Sequence, residues 1–151
     1  MNNLAVLALR SVKQKIYNRD VKLLDGKPLI YYQINCALNT PEIDKVVVVS
    51  DSLKYSNLIH KLGVELIFYP QQMPDDSSSA DYLIFVIEVL QKKGEVYENL
   101  LALEVNSPLN KPEYIKNGLK LLKHENSNCV LTYSDFSIST YDYQNIESKL
   151  R

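Results

Sequence analysis

Five short apolar runs are spaced along the chain, Leu4–Leu9, Lys45–Ser50, Val64–Tyr69, Asn99–Val105 and Cys129–Tyr133, and none shows helical periodicity. A strand that is apolar at successive positions has to be covered on both faces, which is the environment of a parallel sheet. Between the runs lie Pro28–Leu38, Leu53–Leu62, Ala80–Lys92 and Pro112–His124, where apolar residues return every three to four positions. Parallel strands need long crossovers, and amphipathic helices supply them. The alternation therefore predicts an α/β fold. It is a Rossmann-like three-layer α/β/α sandwich with a mainly parallel sheet, its strands at residues 4–9, 45–50, 64–69, 99–105 and 128–133.

Local punctuation agrees. Asp25-Gly26 reads as a turn, and Pro28 and Pro112 are expected at the first position of a helix, where the missing N–H costs nothing. Gly63, directly after Leu62, suits a helix end that needs a left-handed residue. The 151 residues match one domain, expected at 1–136, with a polar tail or short helix at 137–151. With 17 basic and 18 acidic side chains there is no overall bias toward a polyanion, so nucleic acid is not an expected partner. Cys36 and Cys129 form no C-x-x-C or Cys/His spacing, which fits reduced thiols and a cytoplasmic setting. No apolar run approaches the roughly 20 residues of a membrane span, and no signal-peptide pattern opens the sequence. Neither a membrane partner nor export is expected.

Ligands of open parallel sheets sit beyond the carboxyl ends of the strands, where the strand order reverses. That rule directs attention to residues 10–22, 50–52, 70–79 and 105–111. The first segment carries Arg10, Lys13, Lys15, Arg19 and Lys22 against one acid, Asp20. Such a density of positive charge suits a triphosphate, because transfer at phosphorus is accelerated mainly by positioned charge. Charge alone favours the plainer reading of a solvated basic loop. Asp51 and the Asp75-Asp76 pair read as turn residues rather than metal ligands, and neither His60 nor His124 has a neighbour that suggests catalysis.

The order of residues says more than the charge. From Arg10 to Ile30 the chain reads Arg-Ser-Val-Lys-Gln-Lys-Ile-Tyr-Asn-Arg-Asp-Val-Lys-Leu-Leu-Asp-Gly-Lys-Pro-Leu-Ile. Val-Val-Val-Ser-Asp51-Ser, then Tyr69-Pro70 with Asp76-Ser-Ser-Ser, then Ser107-Pro108-Leu109 follow in turn. In this register the chain resembles the acylneuraminate cytidylyltransferases (CMP-N-acetylneuraminate synthetases), in which A-R-x-x-S-K-G-x-P-x-K-N leads to G-K-P-L-I. The resemblance spans about residues 3–135. It implies a nucleotidyltransferase-like domain of the nucleotide-diphospho-sugar transferase type and transfer of CMP from CTP to an acylneuraminate-type acidic sugar. Carried over by position, it implies catalytic roles for Arg10 and Arg19. It also implies nucleotide-binding roles for Ala8, Arg10, Ser11, Lys13, Lys15, Arg19, Asp20, Lys22, Asp76, Ser79, Glu104 and Ser107. Magnesium is the implied cofactor, without identifiable ligands in this chain. The implied partners are CTP, an acidic sugar, and a second copy or a separate chain.

The departures from the family pattern are specific. Lys13-Gln14-Lys15 stands where the family has S-K-G, and Val12 where glycine is common, so a β-branched residue replaces one that lets backbone N–H groups approach phosphate. Arg19-Asp20 replaces a lysine–asparagine pair, Tyr69-Pro70 replaces R-P, and Glu104-Val-Asn-Ser-Pro-Leu-Asn110 replaces Q-P-T-S-P-L-R. Family members continue past the fifth strand into a segment with sugar contacts, dimer contacts and a magnesium-binding aspartate pair, and no counterpart is recognised up to Arg151. The expectation is a nucleotide-binding domain with weak turnover on its own. The alternative is a non-catalytic member acting as a nucleotide-binding or protein-interaction module.

Overall fold

The computed structural model describes residues 2–11, 18–70, 79–124 and 128–131. Its elements follow in the order β1 (Asn3–Leu9), β2 (Leu23–Leu24), β3 (Lys27–Pro28), α1 (Leu29–Leu38), β4 (Lys45–Ser50), α2 (Ser56–Lys61), β5 (Glu65–Phe68), α3 (Ser79–Lys92), β6 (Asn99–Leu103) and α4 (Pro112–His124). One sheet has the order β5-β4-β1-β6 with every neighbouring pair parallel, and β2 and β3 form a separate antiparallel pair. The chain moves outward from β1 through β4 to β5 and then returns past β1 to β6. The strand order thus reverses between β1 and β6.

Side-chain alternation explains why the strands read as unbroken apolar runs. Ala5, Leu7 and Leu9 of β1, with Val46 and Val48 of β4, pack on Ile30, Ile34 and Ala37 of α1 and on Tyr55 and Ile59. Leu4, Val6, Val47, Val49 and Ile67 point the other way, onto Tyr82, Val86 and Leu90, which recur every four residues along α3. Both faces are covered, so both alternating sets must be apolar. Each Leu or Ile fully removed from water stabilises the fold by roughly 1.5–3 kcal/mol.

The one polar side chain buried in β1 locks the register. Asn3 donates its backbone N–H to Asp44 Oδ2 (2.7 Å) and its Nδ2 to the Glu42 carbonyl (2.6 Å), while its Oδ1 accepts from Asn99 Nδ2 (2.7 Å). A one-residue slip would break all of these and turn every apolar side chain to the wrong face.

Several boundaries differ from the sequence expectation for local reasons. Pro28 lies one position before the helix, with φ −61° and ψ 143°, where it caps α1 and pairs with Leu23. Asp25 and Gly26 take consecutive positive φ values of 47° and 74°, which closes the β2–β3 hairpin that the Asp-Gly signal left as a bare turn. The segment expected as one helix over 53–62 begins as a 3-10 turn, Leu53–Tyr55, before α2. Gly63 has the left-handed φ of 78° expected of it.

The fifth expected strand is a correction. Residues 128–131 pair with no strand, and Leu131 is 85% exposed; 132–133 lie outside the described residues. An apolar run becomes a strand only when another backbone satisfies its N–H and C=O groups, which composition cannot guarantee. The chain divides into two compact units, Met1–Asn117 and Gly118–Arg151, and among the described residues every strand lies in the first. The tail expected at 137–151 lies outside the described residues. No helix among the described residues is long and apolar enough to cross a membrane.

Candidate functional site

The carboxyl ends of the parallel strands are joined through the end of β4. Ser50 Oγ donates to the Leu9 carbonyl (2.6 Å), and the Ser50 carbonyl accepts from Tyr69 N–H (2.8 Å). The next residue, Asp51, accepts the Ser11 N–H at 2.8 Å. Arg10, between the strand end and this anchor, holds its guanidinium 5.8 Å from the centre of the Tyr82 ring in the first turn of α3. The β1–β6 ladder ends at Leu7↔Leu103, so Glu104 leaves the sheet next to Ala8.

The far end of the basic segment is tied to the same region. Asn18, at φ 52°, tolerates a left-handed backbone better than most residues, and its Oδ1 accepts from the Tyr55 hydroxyl (3.1 Å) and from Lys54 Nζ (3.4 Å). Ser11 and Asn18, the described residues flanking 12–17, are therefore both fastened to 51–55. Arg19 and Asp20 follow in a 3-10 turn. Arg19 Nε donates to Asp20 Oδ1 at 2.9 Å and Nη2 lies 2.9 Å from the same oxygen, with Asp20 only 3% exposed. A carboxylate that would repel a triphosphate if bare is thus charge-compensated by its neighbour.

On the β6 side, the loop from Glu104 to Lys111 is built from successive turns. Ser107 N–H donates to the Glu104 carbonyl (3.2 Å), Asn110 N–H donates to the Ser107 carbonyl (3.1 Å), and Asn110 Oδ1 accepts the Lys111 N–H (3.0 Å) before α4 begins. Gln33 of α1, 1% exposed, reaches this loop: its Nε2 donates to the Ser107 carbonyl at 2.9 Å and its Oε1 accepts from Asn110 Nδ2 at 3.3 Å.

Of the residues singled out in the sequence, Ala8, Arg10, Ser11, Glu104 and Ser107 lie at the carboxyl ends of β1 and β6, where the strand order reverses. Arg19 and Asp20 lie just before the β2–β3 hairpin and are engaged with each other. Lys22 is exposed beside the hairpin and accepts the Leu29 N–H through its carbonyl. Ser79 opens α3. Lys13, Lys15 and Asp76 lie outside the described residues.

Gln33, Asn18 and Tyr55 were not singled out. Gln33 had a visible signal: it occupies the buried stripe of α1 with Ile30, Ile34 and Ala37, where an amide must have partners.

Among the described residues no three His, Cys, Asp or Glu side chains come together as a metal would need. Asp20 is held by Arg19 and Asp51 by the Ser11 N–H. Magnesium in phosphate-binding sites is commonly held by one or two carboxylates together with the substrate's phosphates and water, and no chemistry is assigned to one here.

The family model for cytidylyltransferases matches residues 10–148. The chain belongs to the cytidylyltransferase family. A pseudaminic acid cytidylyltransferase of Campylobacter jejuni is 27% identical over 138 residues, covering 90% of this chain and 60% of that protein. A Helicobacter pylori protein named as pseudaminic acid cytidylyltransferase and UDP-2,4-diacetamido-2,4,6-trideoxy-beta-L-altropyranose hydrolase is 30% identical over 98% of this chain and 29% of its own length. The N-acylneuraminate cytidylyltransferase of Escherichia coli is 26% identical over 85% of this chain and 30% of its own. This cytidylyltransferase-family chain therefore spans 60% or less of each of these relatives. A solved CMP:2-keto-3-deoxy-manno-octonic acid synthetase complexed with CTP has the same fold at TM-score 0.69 and 19% identity, over 84% of this chain and 49% of that one. A 4-diphosphocytidyl-2C-methyl-D-erythritol synthase is similar in fold at TM-score 0.64 and 12% identity, over 92% and 67%.

Proposed function

We propose that this chain is the nucleotide-binding part of an enzyme that transfers CMP from CTP to an acidic sugar of the acylneuraminate type, working in the cytoplasm. The observation that carries the proposal is the position of Arg10 and Ser11 directly after β1, whose neighbour β6 marks the strand-order reversal of a cytidylyltransferase-family sheet. In this reaction a sugar hydroxyl oxygen bonds to the α-phosphorus, the bond from that phosphorus to the bridging oxygen of pyrophosphate breaks, and the hydroxyl proton is released. Charge builds on the phosphate oxygens, so Arg10 stabilises it from the end of β1, joined by Arg19 and by Lys13, Lys15 and Lys22. Ser11, Ala8, Glu104 and Ser107 hold the nucleoside side, with Asp20, Asp76 and Ser79 completing the pocket.

A second reading, a chain that holds nucleotide without turning it over, is favoured by Asn110. It stands where the family has arginine, and its side chain is spent on Gln33 and on the Lys111 N–H. The partner of such a chain would be a second copy or a separate chain.

Calorimetry with CTP, ATP and GTP in the presence of magnesium, paired with a pyrophosphate-release assay using CTP and N-acetylneuraminate, tests both. The expected result is preferential CTP binding, lost in Arg10→Ala, with little release from this chain alone. Failure to prefer CTP would overturn the nucleotide assignment. Robust release that disappears in Arg10→Ala would overturn the non-catalytic reading.

A further inference from the structure

We propose that Gln33 is a positioning residue for the nucleotide site, acting through the loop that follows β6. The inference rests on the proposed nucleotide-binding roles of Glu104 and Ser107.

A glutamine in the middle of a helix is ordinarily solvated, yet this one is 1% exposed on the same stripe as Ile30, Ile34 and Ala37. Burying an amide is unfavourable unless both its halves find partners. Both do, and on one loop: Nε2 donates to the Ser107 carbonyl at 2.9 Å, and Oε1 accepts from Asn110 Nδ2 at 3.3 Å. The Ser107 carbonyl also takes the Asn110 N–H, and the Ser107 N–H returns to the Glu104 carbonyl. Glu104 and Ser107 therefore sit on a turn whose central carbonyl is held from beneath by α1. Asn110 is drawn into the same arrangement, which makes it a brace for the loop rather than a group presented to an anion. The element that carries Gln33 is packed rigidly against β1 and β4 through Ile30 and Ile34, so the loop inherits the rigidity of the core.

The test compares Gln33→Met, which keeps the length of the side chain and removes both hydrogen-bonding groups, with Asn110→Ala, which removes the longer contact and also the acceptor of the Lys111 N–H. In Asn110→Ala only the Ser107 and Asn110 amides are therefore compared. Amide hydrogen exchange at Ser107, Asn110 and Lys111 is followed by NMR, with β1 and β4 amides as internal controls and CTP affinity measured in parallel. In Gln33→Met, exchange of the loop amides rises about five- to tenfold, the scale of one buried hydrogen bond, while the sheet amides keep their rates and CTP binds about as many times more weakly. Asn110→Ala changes both in the same direction by less. Unchanged loop exchange in Gln33→Met overturns the proposal, and so does faster exchange with unaltered CTP affinity, which would make Gln33 purely structural. If Gln33→Met fails to fold, Asn110→Ala decides by exchange at Ser107 and Asn110 and by CTP affinity, the Lys111 amide being left out because it loses its own acceptor. A parent chain that binds no CTP would sink the proposed function instead, leaving loop exchange alone to decide whether Gln33 holds this loop.

Discussion

The Arg19–Asp20 pair decides how much positive charge the basic segment can offer a ligand. Two guanidinium nitrogens lie 2.9 Å from one carboxylate oxygen, with the Asp20 side chain 4% exposed and that of Arg19 38% exposed. Fully exposed pairs contribute about 0.2–1 kcal/mol, whereas losing one member of a buried pair costs about 3–5 kcal/mol. With one partner buried and the other half in water, about 2 kcal/mol is expected for Arg19→Met or for Asp20→Asn. For a chain of this size that corresponds to about 4–8 °C in melting temperature. The double variant should lose clearly less than the sum, with a coupling of about 1–2 kcal/mol, because the second change removes a group that has already lost this contact. Urea unfolding of the four proteins measures this directly. Additivity within about 0.5 kcal/mol would refute the reasoning and show that the pair does not hold the two side chains together.

Asp51→Ala strips the acceptor from the Ser11 N–H and should destabilise the chain by about 1–2 kcal/mol in urea unfolding, whereas Asp51→Asn, which keeps an oxygen there, should lose about half as much. An Asn variant no better than Ala would count against the hydrogen bond. At the opposite end of the sheet, Lys45 Nζ lies 3.0 Å from Glu65 and 2.7 Å from Glu95, and Lys93 also pairs with Glu65. Burial alone would raise the Glu65 carboxyl, but hydrogen bonds from Lys93 and Lys45 outweigh it and lower the pKa. Glu95 is lowered first by its bond from Lys45 and then by that from Tyr97. Burial likewise would lower Lys45, and the bonds to Glu95 and Glu65 reverse that and raise it. The parent's stability advantage over Lys45→Met should therefore be full between the ordinary values of 4.5 and 10.5, shrinking as pH falls below the first or climbs beyond the second. Tyr97, pushed up to about 12 by burial and by its bond to Glu95, stays neutral across that window. Thermal melts of both proteins from pH 3 to 11 check this, and a pH-independent difference would contradict it.

The sheet was legible because its chemistry is local and repetitive. A strand such as Val46–Val49 has to be apolar on both faces, and the residues that cover it, Ile30, Ile34, Val86 and Leu90, repeat at helical spacing. Turns were legible where one residue type is demanded, as at Asp25-Gly26 and Gly63. Pairing was not. Nothing in Cys129–Tyr133 says whether a second backbone will lie beside it, and residues 128–131 have none. The site divided along the same line. Arg10 and Ser11 follow from position after β1, but the commitment of Arg19 to Asp20, and of Asn110 to Gln33 across 77 residues, depends on side-chain contacts that spacing does not encode.

The place of β6 beside β1 has a consequence for how the chain comes off the ribosome. β1 acquires its first neighbour once residues 45–50 emerge, but its other edge waits for residues 99–103. At roughly 5–20 residues per second, the interval is about 2–10 s, long compared with the collapse of the segments already made. During that time a strand that is apolar from Leu4 to Leu9 presents open backbone N–H and C=O groups. A nascent chain stalled between these two points should be the form most prone to pair with its own copies, and the form for which a chaperone that shields strand edges matters most.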